Sequence, residues 1–134
     1  MVLTFLSRYR DLGLLILRLG LGTMFIAHGG PKLMGGPEMW RDLGGAMGNL
    51  GVTTAPAFWG FMAGFAEAGG GVCLILGLFV RPACMLLLTT MLVAAKHHFT
   101  KGDGLMGAAH AIESAVVFLS LILIGPGKYS IDGE

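Results

Sequence analysis

The chain has 134 residues, of which 54% are hydrophobic and 13% charged, with a mean hydropathy of +0.76 and a formal net charge of +1. A soluble domain carries about 25% charged residues, and one this small could not hide so much apolar surface in a single core. The near-neutral charge and the lack of a long basic run exclude nucleic acid as a partner. The lipid bilayer is the expected surrounding instead, and the composition predicts an all-α integral membrane protein made of one domain over residues 1–134.

A bilayer core about 30 Å thick needs roughly 20 apolar residues of helix, and four segments fit: residues 12–30, 57–80, 82–99 and 105–124. Pro and Gly punctuate their ends, at Pro31, Pro56, Pro82 and Gly125-Pro126-Gly127. The start has basic residues before an apolar stretch but no small-x-small cleavage pattern, so it reads as the first span and not as a removable leader. Between the first two spans, Trp40, Leu43, Met47 and Leu50 recur at helical spacing among small and polar residues. This predicts a short interfacial helix, with an ordered loop as the alternative. The expected architecture is an up-and-down four-helix bundle with both termini cytoplasmic. Cys73 and Cys84 lie in apolar runs without metal-ligand spacing and read as small hydrophobes, a disulfide between them staying open.

Ionisable residues inside spans are costly and usually face a bundle interior. Arg18 shares a helical face with Gly22 and Gly29, and Glu67 shares one with Gly60, Gly64 and Gly71. Glycine faces pack against other helices, so both charges should point inward. Glu113 shares a face with Ala109, His110, Val117 and Ser120. The simplest satisfied arrangement pairs Arg18 with Glu67, Glu113 or both. His28, His97, His98 and His110 all fall toward one end of an up-and-down bundle, joined by Lys32 and Lys96. Together these residues suggest a polar pocket, against the plainer readings of solvated histidines and a register-fixing ion pair.

Four sequence segments resemble the DoxX family in order and spacing. They are AHGGPKLMGG (27–36), AEAGGGVCLILGLFVRPA (66–83), Met91 with Ala94 and Ala95, and GPGKYSID (125–132). The resemblance implies a small four-helix protein of the cell's inner membrane with cytoplasmic termini and a link to redox and sulfur metabolism. DoxX-like chains are similar to the membrane subunit of thiosulfate:quinone oxidoreductases, and others are described as partners of a superoxide dismutase and a sulfurtransferase. His28, Lys32 and Glu67 are the matched positions with chemistry to offer.

The functional expectation is a quinone-interacting subunit of a redox complex. Glu67, Glu113, His110 and Arg18 would form its catalytic polar centre, while His28, Lys32, His97 and His98 would bind substrate or quinone. Lys32 would also attract an anionic substrate such as thiosulfate. No ligand motif supports a metal or haem site. A non-catalytic scaffold for soluble redox enzymes or a sulfurtransferase is the rival, a small-solute transporter is third, and the glycine faces suit a homodimer.

Overall fold

A computed structural model describes residues 2–133. It is all-α, with no strand among the described residues. A 3₁₀ stretch, Thr4–Tyr9, leads into α1 (Arg10–Met34). Then come α2 (Gly36–Gly44), a second 3₁₀ stretch (Gly45–Leu50), α3 (Pro56–Leu76), α4 (Val80–Thr100) and α5 (Gly104–Ile124). By length and composition, Thr4–Met34, α3 and α5 could each cross a membrane. The sequence suggested four such segments. α4 has the same length as its neighbours but carries Arg81, Lys96, His97 and His98 near its ends, which lowers its apolar content.

α1 packs on α3, α3 on α4, and α4 on α5, while α2 lies against α3. The α1–α3 seam is made of glycine. A Cβ on Gly22 would meet the carbonyl oxygen of Gly71, one on Gly71 would meet that of Gly22, and one on Gly29 would meet the backbone of Ala68 and Gly64. Positions 22 and 29 thus lie opposite 71 and 64, so the helices run antiparallel with their backbones nearly touching. α2 uses the same device. A Cβ on Gly60 would meet Trp40 O, and one on Gly44 would meet Pro56 O. The remaining core is apolar and centres on Phe25, Leu74, Leu87, Met91, Phe118 and Leu121.

Two boundaries differ from the sequence reading. α1 runs through Pro31 to Met34. Proline has no amide to donate to the carbonyl four residues back, so the helix continues through Pro31 at the cost of one backbone bond. α3 stops at Leu76 because Gly77 takes a left-handed conformation (φ 69°), and α4 restarts at Val80, ahead of Pro82. A first-turn proline has no intrahelical bond to lose.

The tail then closes over this turn. Asp132 Oδ1 accepts from Phe79 N (2.9 Å) and Oδ2 from Val80 N (3.0 Å), capping α4. Asp132 N donates to Gly77 O at 2.8 Å. Arg81 Nε donates to Ile122 O (2.8 Å) at the end of α5. A Cβ on Gly77 would meet Ser130 and the Arg18 guanidinium, so the turn needs glycine for both its φ and its space.

Two substitutions test this account by thermal melts in detergent. Gly71→Val should lower stability by at least the 1–3 kcal/mol typical of overpacking, because the clash is with backbone that cannot rotate away. Asp132→Ala should cost about 1 kcal/mol, as the loss of a helix cap does, and should also speed proteolysis of the tail.

Candidate functional site

Arg18 is fully buried, as its glycine face predicts, but its partners differ from expectation. Nε donates to Pro126 O at 3.0 Å, Nη1 to Leu74 O at 2.9 Å, and Nη2 to Tyr129 O. Leu74 lies in the last turn of α3, where its carbonyl also accepts from Gly77 N at 3.2 Å and a positive charge suits the helix dipole. Arg18 therefore ties α1 to the end of α3 and to the tail, and neither glutamate pairs with it. A sequence rule that matches opposite charges could not find this, because backbone carbonyls carry no sequence signature.

Glu67 is also buried, and its partner is Lys32: Nζ to Oε1 is 2.7 Å. The side chains are 4% and 28% exposed respectively. Lys32 can reach because α1 continues past Gly30, which places it one turn beyond Gly29 on the face that meets α3. Its charge is thus neutralised by Glu67, so it is not the lone cation expected to draw an anion to the mouth. The other carboxyl oxygen, Oε2, is enclosed with no hydrogen-bond partner among the described residues.

The ion pair lies at the wall of a cavity of about 360 Å³ between α3, α4 and the segment formed by α2 and the second 3₁₀ stretch. Its lining is mostly apolar, with Leu43, Met47, Trp59, Met62, Leu86 and Val93, and its polar groups include Asp42, Thr89, Thr90, His97 and His98. Asn49 Nδ2 donates to His97 Nδ1 at 2.9 Å, joining the 3₁₀ segment to the end of α4. Trp40 Nε1 donates to Lys32 O at 2.9 Å. His98 Nδ1 donates to Asp103 Oδ2 at 2.7 Å. This bond, with Lys101 and the imidazoles nearby, holds the Asp103 carboxyl below the usual carboxylate range. Asp42, Asn49 and Trp59 were not singled out from the sequence. Asp42 and Asn49 signalled only by being polar in a short amphipathic stretch, and Trp59 only by being an aromatic residue in the first turn of α3.

The other expected site residues lie elsewhere. His28 and His110 are exposed and place their rings 5.1 Å apart, with Phe25 packed against both. Neither lines the cavity. Glu113 is exposed on α5 and does not point inward. α5 is apolar all round, so its rotation could not be read from the pattern. Its buried face carries Ala108, Ala111, Ala115 and Phe118, next to the one the sequence suggested. The single polar pocket expected from the sequence is therefore three separate groups. They are the Arg18 tie, the Lys32–Glu67 cavity with His97 and His98, and the outward His28, His110 and Glu113. No group of three or more His, Cys, Asp or Glu could hold a metal among the described residues. Both cysteines are free.

Lys32→Met should leave a buried carboxyl without its cation and cost roughly 3 kcal/mol, the lower end for a broken buried pair because Lys32 is partly exposed. Adding Glu67→Gln should recover part of the loss. A double-mutant cycle by thermal unfolding in detergent measures this coupling.

The DoxX family profile matches residues 13–102. The chain is 30% identical to an uncharacterized protein of Haemophilus influenzae over 96% of this chain and 95% of that one. It is 30% identical to the inner membrane protein YphA of Escherichia coli (93% of this chain, 96% of that one) and 28% identical to the inner membrane protein YqjF (95% of each). No solved structure matches.

Proposed function

Starting from the chain's membership of the DoxX family of membrane proteins, we propose that it is an inner-membrane subunit that binds a quinone in the α3–α4 cavity as part of a redox complex. The supporting observation is a buried ion pair, Lys32–Glu67, at the wall of an otherwise apolar cavity. Its volume of about 360 Å³ lies within the roughly 300–1,000 Å³ typical of small-molecule sites, which combine apolar walls with a few convergent polar groups.

The reading includes four crossings. α4 joins α3 to α5 through short turns and packs on both, so if its neighbours cross the bilayer it crosses too, with its polar ends in the interfaces. α2 and the 3₁₀ stretch then lie at the membrane surface on the side where α1 ends. Both termini lie on the opposite side, which is taken as cytoplasmic.

The donor set fits a quinone head group. Lys32 and His97, whose Nδ1 accepts from Asn49 and leaves Nε2–H to donate, are donors for ring oxygens, while Leu43, Met62, Leu86 and Val93 exclude water and accommodate a lipophilic ring. A bound quinone would supply a carrier for two electrons and two protons. The chain's own part is to hold it and to manage protons. Lys32 Nζ donates to Glu67 Oε1 across 2.7 Å, and the second carboxyl oxygen, which has no partner among the described residues, would take up or release a proton as the ring changes state. Electrons would come from a soluble redox or sulfurtransferase partner.

Trp59 lines the cavity, so its fluorescence reports occupancy once Trp40, the only other tryptophan, is replaced by Phe. In vesicles, a short-chain quinone should quench Trp59 saturably. Glu67→Gln should weaken binding about tenfold, the equivalent of one lost charged contact, and the cavity-filling Ala63→Leu should abolish it. Quenching that never saturates, or is indifferent to both substitutions, overturns the quinone reading in favour of a scaffold without a ligand.

A further inference from the structure

The outward face of α5 is not built for lipid. Met106, His110, Glu113, Val116, Ser120 and Leu123 are all exposed, with Met106 84%, Val116 61% and Leu123 76% exposed. Their spacings of four, three, three, four and three average close to 3.5, the period that keeps one seam of a helix facing another along its whole length. Glu113 sits near the middle of a helix apolar enough to cross a membrane. It makes no hydrogen bond or ion pair among the described residues. A carboxyl turned toward hydrocarbon at that depth is strongly unfavourable unless another protein surface covers it.

Its own chain does not cover it. His110, one turn away, is turned toward α1, where its ring stacks on Phe25 and lies beside His28. We propose that α5 is the contact helix of a homodimer, in which each copy's Glu113 is covered by the same stripe of the other copy. The stripe carries both an acceptor, Glu113, and a donor, His110, so it is self-complementary, as a two-fold interface requires. Around such an axis each carboxyl lies next to the partner's His110 and the partner's Glu113. It can accept an imidazole N–H or share a proton with the opposite acid, and neither bond is available to it in the single chain. Val116 and the small Ser120, one and two turns beyond Glu113, leave room for close approach on that side. This inference does not depend on the quinone reading, because the stripe lies on α5, away from the cavity.

Cross-linking of the purified full chain in lipid vesicles tests it. In a background with Cys73 and Cys84 replaced by Ala, Val116→Cys should form an intermolecular disulfide on mild oxidation. Leu92→Cys, exposed on α4, should not. Glu113→Ala should weaken the monomer–dimer equilibrium about tenfold, the effect of one interhelical hydrogen bond in a membrane. Glu113→Gln, which can still hydrogen-bond, should keep most of the dimer. Circular dichroism confirms that each variant is folded. A Val116→Cys protein that stays monomeric, equal cross-linking through Leu92→Cys, or a dimer indifferent to Glu113→Ala would each overturn the proposal.

Discussion

A fully enclosed guanidinium ties the first helix to the end of α3 and to the tail, and the fold of this end of the protein depends on it. Arg18 sits among apolar helices, and its five N–H donors must find acceptors or the arrangement is strongly unfavourable. It finds them on carbonyls of α3's last turn and of the tail. Leu74 O also accepts from Gly77 N, while Pro126 O and Tyr129 O belong to the irregular tail, so one side chain joins a helix end to the tail through one bond from each of its nitrogens. The tail is held down in turn, and Asp132 can cap α4 across the α3–α4 turn. One end of the molecule thus becomes a closed hydrogen-bonded knot.

With Arg18 occupied, Glu67 lies farther along α3 and needs another cation. The glycine seam sets the antiparallel register of α1 on α3, which brings Lys32 to it. The ion pair is therefore a consequence of backbone contact at Gly22, Gly29 and Gly71. A buried pair of this kind adds little net stability against apolar replacements. Its presence at a cavity wall is better explained by what it can do there.

How much of this was legible depended on the kind of signal. Glycine periodicity is a steric statement, so the inward direction of Arg18 and Glu67 could be read directly. The break at Gly125 is a backbone statement and was also readable, whereas the sequence reading put the α3–α4 turn at Arg81-Pro82 and missed the stop at Gly77. Partners were not. Opposite charges suggest one another on paper, but carbonyl oxygens compete for arginine and are invisible in a sequence. Pro31 looked like a helix end, which hid the extra turn that delivers Lys32. In α5 the apolar residues surround the helix, so nothing fixed which way Glu113 faced. A rotation of about 100°, one residue's worth, separates an inward acid from an outward one.

The glycines themselves fall into two populations with different physical roles. Those of the seam, with Gly44 and Gly60, are demanded by contact, since any Cβ would strike backbone. Gly45 and Gly48, in the 3₁₀ stretch that forms one wall of the cavity region, face open space, and a Cβ on either would touch nothing. Packing does not require glycine at these two positions. Their effect is on the chain itself, because glycine leaves the backbone more conformations than any other residue. Side-chain contact therefore constrains the chain at the seam and the knot and places no such demand at Gly45 and Gly48. The proposed quinone site would use this division, with packed helices to position the charges and a wall whose backbone is free of side-chain packing at those two positions.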